Sequence, residues 1–492
     1  MKKLLGPLVL FINIGLSFFL LWQFFFHETF SLPIKLMVVM IALLIIAIIS
    51  IKSLMILTKK VNRNLNPERK VVVLKKIRKQ KRTTTILLAV LAVFLLVGNY
   101  IYYLANQTID TITLNLEPTN LTVHLLVAKD SGIESAMDSK LIHIGFDQGD
   151  EQYQSLLEEE LQNQYDKYAY IDYQPHLLNI PNLADDLLSE DLHALFVCDS
   201  TLEIMNNYNP NFKNQTRILE TYTIETSVAA KNVKVSKEAF NVLILGVDIR
   251  EDEGDIHSNT RADTIMVASF DPKTMKASLV SIPRDTYTPL AYNNQEDKLT
   301  HAGSYGVGCM IETVENLLDI NINYYAKFNF KALVGLVDAL GGIEVDVPFS
   351  FSESNSDDIP NTVHVTEGLQ ILDGEKALAY ARHRSTQNDH VRNNSQQEVL
   401  KAILNKMVAF DTVTKINDLL DVLNTNMSTN LGRQEILDLI TLVPRLGELQ
   451  MSTMVIEGED YETYVSKYDD YLWITKLTET SLQKAKEMIY GD

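Results

Sequence analysis

Charged residues gather at a few strand ends in the middle of the chain. Arg284 and Asp285 close the apolar run of "LVSIPRDTY", Asp248 closes "NVLILGVD", and Arg261 and Asp263 precede the apolar run of "TRADTIMVASFDP". Lys298 and His301 follow in "DKLTHAGSYG". Arg382, His383, Arg384 and Arg392 fall within eleven residues of "ALAYARHRSTQNDHVRNNSQQ". An arginine presents a planar fork of donors that matches phosphate oxygens two at a time and does not deprotonate. Five such groups meeting at one point would repel each other unless an anion neutralised them. The aspartates Asp248 and Asp263 would repel a bare phosphate, but they suit a hard cation such as Mg²⁺, which takes one or two carboxylates together with phosphate oxygens. The combination predicts a diphosphate site with a bridging metal. Single Arg–Asp pairs at strand ends are commonly surface ion pairs of little worth; the whole set within one short domain is what carries the chemistry.

The elements that must position these residues read as α/β. "FNVLILGVD" is a strand, and "IMVASFD" and "KASLVSI" flank the "DPKT" turn as a hairpin. "IETVENLL" is helical, "YYAKFNF" a strand, "KALVGLVDAL" a helix stopped by Gly341-Gly342, and "IEVDV" a strand. "SQQEVLKAILNKMV" reads as an amphipathic helix opened by a Ser395–Glu398 capping box. Before this domain, "LTVHLLVA", "LIHIGF", "YAYIDY" and "ALFVC" alternate with the helical stretches "EQYQSLLEEELQNQY" and "IPNLADDLLSEDL", the pattern of a smaller accessory α/β unit. Its role reads as structural or partner-binding. After about residue 410 the chain reads as a helical extension, with "RQEILDLITLVPRL" as its clearest stretch, followed by a polar end.

Three apolar blocks precede all of this: Pro7–Phe26, Leu36–Ile51 and Ile86–Ala105. Each approaches the ~20 residues that a helix needs to cross a bilayer. Between the second and third lies a basic loop, Thr58–Thr85, with Glu68 as its lone acid. The positive-inside bias puts that loop and Lys2-Lys3 in the cytoplasm, and everything after the third span outside. Residues 1–105 hold 15 of the 44 basic residues and 2 of the 63 acidic ones, so the net charge of −19 is carried entirely by residues 106–492. A region this acidic excludes general nucleic-acid binding. Cys198 and Cys309 make no disulfide framework and read as unpaired buried thiols. The expected divisions are 1–105 (three transmembrane helices), 106–236 (accessory α/β domain), 237–410 (catalytic domain) and 411–492 (helical extension packing on the ectodomain).

"NVLILGVD", "TRADTIMVASFDP", "LVSIPRDTY", "KLTHAGSYG", "VDALGGIEVDVP" and "LDGEKALAYARHR" resemble, in order, the motifs of the LytR–CpsA–Psr family over roughly residues 238–410. Three spans followed by an accessory unit also resemble the CpsA/Wzg type of capsule protein. The resemblance implies an α/β/α sandwich that binds polyprenyl pyrophosphate and transfers its glycopolymer to peptidoglycan, forming a phosphodiester. The polymer is capsular, exopolysaccharide or teichoic-acid-like. Residue by residue, it implies that Asp248 and Asp263 hold Mg²⁺ and that Arg261, Arg284, Arg382, Arg384 and Arg392 clamp the pyrophosphate. Gln396 matches the family's polar residue after the last arginine; Lys298 and His301 are the expected substrate contacts. Asp263 and Asp285 are alternatives for the group that accepts the hydroxyl proton. The chain departs from the family at Ser395, where an arginine is common. Membrane lipid and other capsule-assembly proteins are the further expected partners. Two rival readings are a membrane-bound attenuator of transcription and a polyprenyl-pyrophosphate hydrolase. The basic loop is too small for a folded DNA reader, and release of phosphate-terminated polymer would mark the hydrolase.

Overall fold

Apolar runs at the start of the chain become helices: α1 (Leu5–Phe26), α2 (Leu32–Thr58) and α3 (Pro67–Leu114). The computed structural model of the chain describes residues 5–26, 32–60, 67–114, 119–136, 138, 141–147, 174–226, 233–249, 256–383, 389–407, 422 and 426–490. The helix expected in "EQYQSLLEEELQNQY", the strand expected in "YAYIDY" and Arg384 lie outside these residues. The chain divides into two compact units, Met1–Thr111 with Ile436–Asp438, and Ile112–Glu435 with Leu439–Asp492.

In the first unit α3 runs as one helix of 48 residues, so the expected basic loop is helical from Pro67 onward. Lysine and arginine are good helix formers, and nothing between Pro67 and Leu114 breaks the backbone. Among the described residues no helix is long and apolar enough to cross a membrane. Lys35 and Lys52 interrupt α2, and α3 gives its first half to the stretch Arg69–Arg82. The three helices are tied by polar side chains. Asn13 Nδ2 donates to the Leu88 carbonyl at 2.9 Å, and Leu10, Leu57 and Leu88 bury against one another.

The second unit begins with a five-stranded sheet. Strands β1 (Thr119–Ala128), β2 (His143–Asp147), β3 (Gln174–Leu178), β4 (Ala194–Cys198) and β5 (Thr216–Thr226) lie in the order β3-β2-β4-β1-β5. Helix α4 (Ile180–Leu188) has Pro181 in its first turn and buries Ile180, Leu183, Ala184 and Leu187. Two short helices, α5 (Asp199–Tyr208) and α6 (Phe212–Gln215), join β4 to β5.

A mixed six-stranded sheet forms the centre of the next domain. Its strands β6 (Phe240–Val247), β7 (Ala262–Asp271), β8 (Lys276–Ser281), β11 (Tyr324–Asn329), β16 (Met427–Thr429) and β17 (Gln450–Val455) lie in the order β16-β11-β6-β7-β8-β17. Strand alternation serves both faces of this sheet. Leu243, Leu245, Val247, Ile265 and Val267 pack in one core with α7 (Val307–Leu318) and the last helix, α12 (Glu479–Tyr490). Ile244, Gly246, Thr264 and Met266 face the other way, toward α8 (Phe330–Leu340), α9 (Gly374–Arg382) and α10 (Asp389–Met407). Two helical layers around a sheet give the expected mixed α/β architecture. Small hairpins complete it: β9 (Tyr287–Pro289) with β10 (Glu296–Lys298), β12 (Ile343–Val347) with β15 (Gly368–Leu372), and β13 (Phe351–Glu353) with β14 (Val363–Val365).

Two expectations need correction. The region after 410 is not a helical extension: helix α11 (Arg433–Ile440) is followed by β17, which pairs in parallel with β8, and by a hairpin of β18 (Gly458–Val465) and β19 (Asp470–Leu477). Alternating β-branched and aromatic residues such as "TMV" and "DYLWITKL" favour strands once a sheet edge is there to receive them. The capping box is absent as well. Helix α10 starts at Asp389, and Ser395, 4% exposed, lies inside it. Its buried surroundings, not its neighbours in sequence, decide its role.

Candidate active site

The ladder between β6 and β7 slips at its charged end. Gly246 pairs with Thr264 and Val247 with Ala262, leaving Asp263 as the extra residue of a bulge. A bulge re-aims a side chain, and here it brings Asp263 beside Asp248, the residue after β6. Glycine is required at 246, because a Cβ there would stand 2.9 Å from Thr264 Cβ. The turn that carries Arg284 and Asp285 is clamped from two sides. Thr300 N donates to the Arg284 carbonyl at 2.9 Å, and Thr475 N of β19 donates to the Asp285 carbonyl at 2.8 Å. The "THAGSYG" segment lies flush on the backbone next to Arg261; a Cβ at Gly303 would meet the Thr260 carbonyl at 2.5 Å. Thr300 Oγ1 donates to the Ala262 carbonyl.

On the opposite side, Asp373 caps α9 by accepting from Lys376 N, and the helix ends at Arg382. Helix α10 presents Arg392, Gln396, Val399, Leu400 and Ile403 along one helical stripe. It is pinned to the sheet by Gln397, whose Nε2 donates to Ser281 Oγ at 2.8 Å and to the Met454 carbonyl at 2.6 Å.

Two cavities meet at Asp248 and Asp263. The first, of about 530 Å³, lies between the sheet and helices α8–α10. Ile244, Met266, Phe328, Leu333, Leu336, Leu378, Val399, Leu400 and Ile403 make it mainly apolar, and Asp248, Asp263, Arg382, His383, Arg392 and Gln396 supply its polar lining. The second, of about 750 Å³, is lined by Arg261, Arg284, Asp285, Lys298, Thr300 and His301, again with Asp248 and Asp263. The described residues thus place ten of the eleven expected site residues on one or both cavities; the eleventh, Arg384, is not described.

Ion pairs hold these groups. Arg284 contacts Asp263 through Nη1 and lies 3.7 Å from Asp285 through Nε. Lys298 Nζ sits 2.9 Å from Asp285. Burial alone would raise the Asp285 carboxyl; the Lys298 hydrogen bond and the charges of Lys298, Arg284 and Arg392 hold it below the usual carboxylate range instead. Arg382 Nη2 donates to Asp358 at 2.8 Å, and its guanidinium lies 4.9 Å from the Phe330 ring centroid. Gln396 Oε1 is buried without a hydrogen-bond partner among the described residues. Ser395 hydrogen-bonds Tyr380 and lines neither cavity.

Several residues at the site had no sequence signal. Lys327 is 2% exposed and donates to the Ser258 carbonyl, fixing the loop before Arg261. His383 stacks on Phe351 at 4.2 Å and meets Glu353 at 3.2 Å. Asp199, Leu202, Asn206 and Lys213 reach the polar cavity from the accessory unit. Among the described residues no group of three or more His, Cys, Asp or Glu side chains stands together as a metal cage.

An α/β/α domain with an apolar slot, a polar chamber and arginines between them defines a binder of amphiphilic phosphates. The chain belongs to the LytR_cpsA_psr family, whose profile matches residues 203–488. It is 32% identical over 264 residues to the polyisoprenyl-teichoic acid–peptidoglycan teichoic acid transferase TagT of Bacillus subtilis, covering 53% of this chain and 79% of that relative. To the corresponding TagU transferase of Enterococcus faecalis it is 37% identical over 216 residues, covering 43% and 68%. A solved structure of the family protein YwtF (TagT) with bound octaprenyl pyrophosphate lipid is 30% identical, with a TM-score of 0.41 over 53% of this chain and 92% of the other.

Proposed function

We propose that the chain transfers a glycopolymer from a polyprenyl-pyrophosphate carrier to peptidoglycan, forming a phosphodiester bond. One observation carries this reading: an apolar cavity and a polar cavity share Asp248 and Asp263 at their junction, with Arg382 and Arg392 on one side and Arg261 and Arg284 on the other. The slot suits a prenyl chain, the chamber suits sugar, and the diphosphate between them meets the guanidinium groups. A hydroxyl of the acceptor glycan attacks the sugar-bearing phosphorus, its O–P bond forms, and the bond to the leaving prenyl phosphate breaks. Such transfer needs chiefly positioning and neutralisation of developing charge. The hydroxyl proton passes to Asp263 or Asp285, both of which line the polar cavity beside Arg284.

The carboxylates of Asp248 and Asp263 also fit the expected Mg²⁺, whose other ligands would be phosphate oxygens and water. When bound, the ion would neutralise charge on those oxygens. Turnover that survives chelation by EDTA would remove it from the reading. The polymer class stays a glycopolymer, with capsular, exopolysaccharide and teichoic-acid chains all compatible with the chamber.

The same reading puts α1–α3 in the membrane, with the basic stretch of α3 on the cytoplasmic side and the catalytic domain outside. Its support is the apolar surface of these helices. Phe11, Met40, Leu87 and Phe94 are each more than 60% exposed, which water would penalise. Release of the chain from membranes by a carbonate wash would contradict it.

The decisive assay uses the full chain in detergent with a prenyl-pyrophosphate oligosaccharide and peptidoglycan. Arg284→Ala and Arg382→Ala are each expected to lower turnover by about 10²–10³, the usual effect of losing one preorganised donor to a developing anion. Wild-type turnover in both variants would overturn the mechanism.

A further inference from the structure

The polar cavity is larger than a diphosphate requires, and its outer wall comes from α5 and α6, the two short helices that join β4 to β5 of the five-stranded sheet. At about 750 Å³ it lies within the ~300–1,000 Å³ range of sites that take whole organic ligands. Its lining alternates carboxylates with cations, a surface that can both accept from and donate to hydroxyl groups. Leu202 and Ile249 are its few apolar members, so it does not suit a second lipid chain.

The accessory helices α5 and α6 close the far side with Asp199, Asn206 and Lys213. Asp199 is anchored: its Oδ1 lies 2.7 Å from His124 Nε2. Asn206 Oδ1 is buried with no hydrogen-bond partner among the described residues. A buried acceptor left unmatched is costly, and a ligand hydroxyl or amide N–H would remove that cost. Lys213 is exposed and makes no ion pair among the described residues. The wall is held in place. Lys467, in the β18–β19 turn, sits 2.9 Å from the buried Asp147 of β2, and its carbonyl accepts from Ile180 N. Thr201 of α5 donates to the same Asp147 carboxylate.

We propose that this cavity is a saccharide subsite whose specificity is set by the accessory unit, with Asn206 and Lys213 binding the sugar next to the reacting phosphate. It rests on the transfer reading for the identity of that phosphate. The sugar has two possible sources, the donor polymer's first residues or the acceptor glycan, and one experiment separates them. Equilibrium binding to the full chain in detergent is measured with three probes: a prenyl pyrophosphate without sugar, the same lipid bearing a disaccharide, and a soluble glycan oligosaccharide. Lys213→Ala and Asn206→Ala are expected to weaken one of the two sugar probes by about tenfold, the effect of one charge-assisted or buried hydrogen bond. Binding of the bare lipid stays within twofold, and Lys213→Arg restores the lost affinity.

Weakening of the sugar-bearing lipid assigns the subsite to the donor; weakening of the oligosaccharide assigns it to the acceptor. Equal loss for bare and sugar-bearing lipid, or no loss for either sugar probe, overturns the proposal. Sugar binding that responds as described in a chain without transferase turnover would sink the transfer reading and leave the subsite standing.

Discussion

Replacing Lys467 by methionine should loosen the joint between the accessory unit and the catalytic domain. Lys467 is 8% exposed at its side chain and Asp147 is wholly buried, with their charges 2.9 Å apart. Methionine keeps most of the stem's packing and removes the cation alone. An uncompensated carboxylate then stays inside, and breaking a buried pair this way costs about 3–5 kcal/mol. At roughly 2 °C per kcal/mol for a large domain, the midpoint of thermal unfolding should fall by about 6–10 °C.

The effect depends on pH with a definite sign. Burial raises the Asp147 carboxyl despite the opposing charge and hydrogen bond of Lys467. A raised value in the folded state means stability that is present at low pH and is lost as pH rises through that value. Without Lys467 the carboxyl titrates higher still. The variant should therefore be most destabilised at pH 8 and approach the wild type as the solution is acidified and Asp147 takes up a proton. Adding Asp147→Leu to Lys467→Met should recover most of the loss, because it deletes the stranded charge. Scanning calorimetry of the full chain in detergent at pH 8 and pH 5 measures all three proteins. A loss under about 1 kcal/mol at both pH values, or no recovery in the double variant, would refute the reasoning behind a buried pair.

Asp297 offers the opposite sign. Burial would raise its carboxyl, but the His301 charge and hydrogen bond, the Lys467 charge and the Tyr468 hydrogen bond hold it at about 2. Its contribution, about 2 kcal/mol, is present above the ordinary carboxylate value and is lost as pH falls toward 2. Asp297→Asn should flatten the acid limb of a stability-against-pH curve while lowering the plateau; an unchanged acid limb would contradict the assignment. In the apolar cavity, Leu336→Trp adds bulk where α8 lines the slot. It should weaken a long prenyl pyrophosphate about tenfold or more and leave a short-chain analogue nearly unaffected, as for an overfilled pocket. Equal affinities for the two lipids would place the chain elsewhere.

The strands that carry "GVD", "TRAD" and "PRD" were legible because their apolar runs are long and their charges stand where the runs stop. Their convergence was legible only as chemistry: five arginines without an anion make no physical sense, and the two cavities that share Asp248 and Asp263, one lined by Arg382 and Arg392 and the other by Arg261 and Arg284, are the structural form of that argument. The bulge at Asp263 was hidden, since register is a property of two strands and one strand's sequence does not contain it. The tail was misread because β17 gains its partner, β8, and β19 gains a bridge to Thr286 beyond its hairpin with β18, from residues far back in the chain. The start of α10 was set by packing of Arg392 and Asn393 against the domain, which overrode the local capping signal at Ser395. Nothing local marked Asn206 or Lys213 either; their place is set by the packing of α5 beside Gly303–Tyr305, a contact between segments distant in sequence.

The central claim is that guanidinium groups from β7's approach, the 284–285 turn, α9 and α10 surround one diphosphate between the two cavities. Its most direct test is binding of a prenyl pyrophosphate and of the matching prenyl alcohol to the full chain and to Arg284→Ala, Arg382→Ala and Arg392→Ala. The account predicts that each variant loses about tenfold or more for the pyrophosphate, as expected for a charge-assisted contact, and binds the alcohol as the wild type does. Pyrophosphate affinity unchanged in all three variants would contradict it.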